Sequence, residues 1–482
     1  MVDLRPVGYV IGLVVVVLGA MMALPLVIDL VDANGHWPTF AESSILTMLG
    51  GGLIALSCAN GVGKGLTLQQ TFLLTTFVWV ALPLFGALPF VIGATELRFV
   101  DAFFEAMSGL TTTGSTVVSG LDDLPRGILL WRGILQWLGG IGIIVVAMVF
   151  LPELKVGGMQ VFRSEGFDTM GKILPRAVEI ARQISAIYLG ITLACFLAYA
   201  AVGLQPFDAL VHALTTVSTG GFSNYDASFG AFSGAPEYVA CVFMILAALP
   251  FVRYVQIVNG DRFAVLRDSQ VRAFLVIILI LTVLTSELLT RIFPHDREQA
   301  FREALFNITS IISGTGYAST DYMTWGPVLI SMFFFIGLIG GCAGSTVCSV
   351  KIFRYQILFA SIRAQLLRIR SPHGVFIPRF DGRPVTEDVL NSVLAFFVFF
   401  IVLIGLFTVA LSLTGLDLIT ALSGAATALA NVGPGLGDQI GPAGNFGGLN
   451  DTAKWLLIAG MLLGRLELMV VLVLFTVRFW RA

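Results

Sequence analysis

Four glycine stretches, spaced 96 to 117 residues apart, limit what this chain can fold into more than any other feature. They read Thr112-Thr113-Gly114-Ser115, Ser218-Thr219-Gly220-Gly221, Gly314-Thr315-Gly316-Tyr317 and Asn431-Val432-Gly433-Pro434. Each closes a half-length, semi-apolar segment, and a long apolar segment lies on either side. Residues 101–111 would measure about 16 Å as a helix at 1.5 Å per residue, roughly half of a hydrocarbon core of about 30 Å. Such a segment cannot cross a bilayer. Non-helical backbone at that depth is tolerated only where protein buries it or where it lines a watery cavity. The loops therefore belong inside the protein, on a central path, and their recurrence marks an internal repeat.

The membrane setting follows from composition: 57% of the residues are hydrophobic and 12% charged, where soluble domains carry roughly 25% charged. Apolar runs at 7–28, 127–151 and 455–477 are each long enough to span. The first lacks a clear cleavage site and does not read as a signal peptide. Residues 1–64 hold two spans, near 7–30 and 43–59. Four repeats follow at 65–155, 183–260, 270–355 and 390–482. Their outer spans fall near 69–93, 183–204, 272–293 and 392–414, their half-segments at 101–112, 207–218, 301–312 and 418–430, and their inner spans near 128–151, 237–258, 327–350 and 454–477. The expected fold is an all-α polytopic membrane protein: four pseudo-repeats of helix, pore half-helix, filter loop and helix around one central pore, preceded by two extra transmembrane helices. That makes ten full crossings and four half-crossings. With a cytoplasmic N-terminus, 20 of the 28 Lys and Arg residues fall inside, so both ends are expected in the cytoplasm and the loops enter from outside.

A loop ring of this kind suits ion selection, because an ion that crosses must exchange its water for protein oxygens, and backbone carbonyls do this for potassium. Glycine permits the left-handed backbone that turns successive carbonyls the same way. Thr112, Thr113, Gly114, Ser218, Thr219, Gly220, Gly221, Gly314, Thr315, Gly316, Asn431, Val432 and Gly433 are the candidate ion-binding residues. The second loop leaves open whether Gly220 or Gly221 matches the other marked glycines. Beneath the third repeat, Gly340-Gly341-Cys342-Ala343-Gly344-Ser345-Thr346 reads equally as a break in the inner helix or as close small-residue packing. Arg465 lies within a span, where a charge is costly and a functional candidate. It is expected beneath the loops, against residues 340–346, with a buried ion pair to a carboxylate of another helix as the alternative; Glu467 stands on a different helix face. Glu105, His212 and Asn307 occupy similar places in three half-segments and are expected to anchor them to neighbouring spans, while Asp101 and Asp208 read as helix caps.

Enzyme chemistry has little support. The run Gly61-Val62-Gly63-Lys64-Gly65 fails as a phosphate loop, since Cys58 stands where its first glycine belongs. His36, His212, His295 and His373 are scattered, and the five cysteines, Cys58, Cys195, Cys241, Cys342 and Cys348, read as small packing residues. A membrane enzyme acting on lipid-borne substrates would need clustered ionisable residues at one interface, and the sequence offers none. The net charge of −2 says little about partners, and no nucleic-acid partner is expected. The arginines at 363, 368, 370, 379 and 383 lie where anionic lipid or a cytosolic partner would meet them, though positive-inside bias accounts for most of that excess.

The loops above, together with Trp137-Leu138-Gly139-Gly140-Ile141-Gly142, resemble the filter loops of the Trk/Ktr/HKT potassium transporters over nearly the whole chain. The extra N-terminal pair of spans brings it closer to the Trk membrane subunit than to the shorter, sodium-dependent Ktr subunit. The resemblance implies potassium as the transported ion, selectivity glycines at Gly114, Gly220, Gly316 and Gly433, and a gate at residues 340–346 with Arg465. It also implies no cofactor bound by this chain, a homodimer in the bacterial inner membrane, lipid contact and a cytosolic nucleotide-binding ring (TrkA-like) as regulatory partner. Val432 departs from the Thr-Gly pattern of the other loops.

Overall fold

The computed structural model describes residues 2–61, 66–149, 173–293 and 296–481. Four of the five residues of the 61–65 run, His295 and most of the 152–182 link fall outside those residues. Among the described residues the regular structure is helical, apart from a two-residue hairpin pairing Arg379–Phe380 with Arg383–Pro384. The N-terminal pair runs Arg5–Val31 and Trp37–Gly61. The second of these starts six residues earlier than expected, because Pro38 sits in its first turn and Thr39 and Ser43 turn inward. Small residues let the pair approach closely: a side chain on Gly12 would collide with the Gly51 carbonyl and the Ala55 backbone. The next span, Leu68–Ile92, opens with a capping box in which Thr67 and Gln70 satisfy each other's backbone N–H.

The half-segments form helices at Phe99–Leu110, Pro206–Val217, Arg297–Ile312 and Leu418–Ala430. They are the most enclosed part of the molecule; every residue from Val100 to Leu110 is buried. The outer spans do the reverse. Leu189, Leu193 and Leu197 recur four apart along one exposed stripe, as do Val276, Ile280 and Leu284, which is the face hydrocarbon requires.

The inner spans depart from expectation. Only Arg126–Val149 continues as one helix. In the second repeat Ala235–Ala247 and Phe251–Val258 meet at 86°, and in the fourth Asp451–Arg465 and Met469–Phe475 meet at 105°. In the third, Pro327–Gly337 ends in an irregular stretch that lasts until Ile352–Arg370 begins. Seven helices are thus long enough to cross among the described residues, nine when each bent pair counts as one span, instead of ten. Pro250 accounts for the first bend: it lacks an N–H and pushes the preceding residue out of helical conformation. The second bend carries no proline. Glu467 and Leu468 adopt left-handed φ of 60° and 42°, and burial of Leu468 together with an ion pair from Glu467 to Arg354 holds them there.

Candidate functional site

All four half-helices end the same way. Just beyond each helix the backbone turns left-handed, with φ 51° at Thr112, 51° at Thr219, 67° at Gly314 and 53° at Asn431. The next N–H reaches back five residues, from Thr113 to Ser108, Gly220 to Thr215, Thr315 to Ser310 and Val432 to Thr427, at 2.9 to 3.1 Å. This is a Schellman termination. The residue after that is again left-handed: Gly114 at 85°, Gly221 at 78°, Gly316 at 80° and Gly433 at 110°. The register of the second loop is therefore set. Gly221 matches Gly114, Gly316 and Gly433, and Gly220, which the resemblance assigned to that place, corresponds to Thr113, Thr315 and Val432.

These glycines close a ring. A Cβ on Gly114 would strike the carbonyl of Gly220, one on Gly221 that of Thr315, and one on Gly316 that of Val432; one on Gly433 would stand 2.8 Å from that of Thr113. Each loop thus packs its glycine on the next loop's middle carbonyl, in chain order and back to the first. Buried peptide carbonyls are almost always paired. Here those of the buried Thr112, Thr113, Thr219, Gly314, Thr315, Asn431 and Val432, and of the half-buried Gly114, Gly221 and Gly316, accept no hydrogen bond from the described residues. The two exceptions are Gly433, which accepts from Ser115 Oγ at 2.7 Å, and Gly220, which accepts from Gln136 Nε2 at 2.6 Å.

Behind the glycines the chain turns outward, and the polar residues of the half-helices fasten it. Glu105 accepts from Thr116 Oγ1 and the Val117 N–H, His212 Nε2 meets Ser223 Oγ at 3.1 Å, and Asn307 exchanges hydrogen bonds with Ser319. They secure each loop's own return strand, and of the three only Glu105 is also tied to a neighbouring span. Its buried ion pair to Arg132 measures 2.8 Å, and Arg132 also donates to the Ser223 carbonyl at 2.7 Å, joining loop one to loop two. Removing one member of a buried pair costs about 3–5 kcal/mol, because the other charge stays behind. Arg132→Met is accordingly expected to lower the thermal unfolding temperature of the purified protein sharply, and adding Glu105→Gln to restore part of it; equal stability of wild type and single variant would refute this.

Asp101 and Asp208 are not caps. Both sit in first turns, where the cap residues are Arg98 and Gln205. Asp101 binds Lys454 at 2.5 Å and Arg98 at 2.9 Å, tying the first repeat to the fourth. Asp208 accepts from Asn224 and Tyr225 at 2.7 and 2.9 Å; partial burial and that carboxylate push the Tyr225 phenol up to about 12, so it stays a donor.

Below the ring lies the irregular stretch of repeat three. Gly340 and Val350 pair backbone to backbone, and the Cys342 N–H donates to Ala248 O at 3.1 Å. The Gly344 carbonyl accepts from the Phe251 N–H at 2.9 Å, so the stretch docks into the bend of repeat two. Ala343 N–H donates to Gln270, and Ser345 Oγ donates to Cys342 O. Cys342, Ala343, Ser345 and Thr346 are all buried. Thr346 meets Thr219 Oγ1 at 3.1 Å, directly beneath loop two. Arg465, 1% exposed, sends its guanidinium to Thr112 Oγ1, Gly139 O and Cys348 Sγ at 2.7 Å each and to Thr346 O at 3.5 Å, and it faces the Trp79 ring. It forms no ion pair among the described residues; Glu467 is engaged by Arg354 on another helix. The left-handed threonines, uncommon for a β-branched residue, are thus each touched from below.

Four pore-type half-helices delivering glycine loops to one ring, inside a polytopic membrane protein, make the architecture of a cation transporter. The chain belongs to the TrkH family, described as cation transport protein, which matches residues 36–481. It is 44% identical to the Trk system potassium uptake protein TrkI of Halomonas elongata, covering 99% of this chain and 97% of that one. It is 35% identical to the Trk system potassium uptake protein TrkH of Escherichia coli K12, covering 99% of both. The crystal structure of the potassium transporter TrkH from Vibrio parahaemolyticus superposes over 100% of both chains with a TM-score of 0.90 at 33% identity.

Proposed function

We infer that this chain carries potassium into the cell through a carbonyl-lined filter formed by the four glycine loops. The observation that carries the reading is the ring of twelve largely buried loop carbonyls, ten of which have no donor among the described residues. Alternating left-handed positions turn neighbouring carbonyls the same way, and buried acceptors left without donors suit a dehydrated cation. The C-terminal ends of the half-helices add partial negative charge towards that centre. The names of the relatives supply potassium as the ion. Full-length matching to Trk proteins, including the N-terminal pair, favours a Trk system over a sodium-dependent Ktr-type transporter. Residues 340–346 and Arg465 form the gate on this reading, because they lie directly beneath the ring, where Thr346 meets Thr219 and Arg465 meets Thr112 and Thr346. The excess of Lys and Arg on one side supports cytoplasmic ends in a bacterial inner membrane. A homodimer regulated by a TrkA-like nucleotide-binding ring completes the assembly.

The test is cation flux into liposomes holding the full chain together with its regulatory ring, comparing potassium, rubidium and sodium. Flux of potassium and rubidium well above sodium is expected. Flux that does not discriminate, or none with the ring and its nucleotides present, would refute the reading.

A further inference from the structure

One loop of the ring is held differently from the other three. At the middle position Thr113, Thr315 and Val432 present carbonyls without protein donors, whereas Gly220 O accepts from Gln136 Nε2 at 2.6 Å. Gln136 belongs to the inner helix of repeat one, Arg126–Val149, and is fully buried. Its other amide atom is also committed, since Oε1 accepts from the Phe222 N–H at 3.0 Å. One side chain thus grips loop two on both sides of Gly221.

The grip explains a sequence oddity. Loop two has glycine where loops one and three have threonine, yet Gly220 has no positive φ that would call for it. The reason is space. A Cβ on Gly220 would overlap the Cδ and Oε1 of Gln136 and lie 2.8 Å from its Nε2. Gly220 and Gln136 are complementary: the glycine vacates the volume the amide fills, and the amide donates to the carbonyl the glycine exposes.

We propose that Gln136 is a specificity-determining positioning residue, which sets the radius of the ring by fixing loop two to the inner helix of repeat one. This rests on the reading of the four loops as the ion filter. Gln136 does not touch the ion. Its two hydrogen bonds prevent loop two from moving inward, and a ring that cannot contract leaves sodium, the smaller ion, with oxygens too distant to replace its water.

The experiment uses the full chain in cells lacking other potassium uptake, with rubidium uptake measured against competing potassium and sodium. Gln136→Met keeps the volume and removes both hydrogen bonds. Its potassium-to-sodium preference should fall at least tenfold and its KM for potassium rise, with the maximal rate within about threefold of wild type. An unchanged preference and KM would overturn the proposal. A second pair holds whether or not that variant folds. Gly220→Thr alone should abolish uptake, and Gln136→Ala combined with Gly220→Thr, which removes the overlap, should restore uptake while its potassium-to-sodium preference stays at least tenfold below wild type. Equal damage in both backgrounds would overturn the complementarity. Wild-type uptake without preference for potassium would instead sink the filter reading itself.

Discussion

Gly316→Ser should abolish potassium selectivity while leaving the protein folded. Two penalties coincide at this position. With φ at 80°, any side chain meets the left-handed steric cost of roughly 1–2 kcal/mol. That alone is bearable. The larger effect is contact: the added Cβ would overlap the Val432 carbonyl and stand 2.9 Å from Pro434 Cδ. Loop four must yield, and with it the carbonyl at the ring's middle level. Gly120 separates the two penalties, since its φ is 70° but nothing lies within 4 Å of a Cβ there. Gly120→Ala should therefore cost a little stability and leave the potassium-to-sodium flux ratio untouched, while Gly316→Ser brings that ratio towards one. If both variants kept wild-type selectivity in the liposome assay, close packing of glycine on carbonyl would not govern ion choice.

The features legible in the sequence were those enforced by the membrane. A half-length apolar segment ending in glycine has few physical solutions, so the half-helices and their loops could be placed to within a few residues, the third starting at Arg297 instead of 301. What stayed hidden depended on neighbours. The bend after Arg465 interrupts a continuous apolar run with no glycine or proline at the left-handed residues; its support comes from Arg354, over a hundred positions away. Pro250 marks the bend of repeat two within a stretch that hydropathy alone reads as one span from 237 to 258. The register of loop two was hidden for the same reason. Two adjacent glycines look interchangeable until Gln136 shows that one answers to φ and the other to packing. Gln136 itself carried no signal beyond that unexplained second glycine. Of the anchors, Glu105 reaches a neighbouring span as expected, while His212 and Asn307 fasten their own return strands, because a half-helix residue nine places before a glycine is as close to its own return strand as to another span.

Arg465→Ala should raise basal potassium flux and blur its selectivity at the same time. The guanidinium is buried without an ion pair among the described residues, 2.7 Å from Thr112 Oγ1 at the base of the ring. Two like unit charges about 6 Å apart at an effective dielectric of 20 repel by roughly 3 kcal/mol, which is about a hundredfold in occupancy. Removing the charge should thus lift flux without the regulatory ring by about ten- to a hundredfold. The same side chain also supports Thr112 in its left-handed conformation, so its loss lets loop one relax and sodium enter. Arg465→Lys separates the two roles. It keeps the charge, and so should keep basal flux low, but a single ammonium cannot reproduce the planar set of bonds to Thr112, Gly139 and Cys348. Selectivity should therefore suffer in both variants, and the barrier in only one. Flux indistinguishable from wild type in Arg465→Ala, with the regulatory ring absent and present, would rule out the charge as a barrier and leave Arg465 as a packing residue beneath loop one.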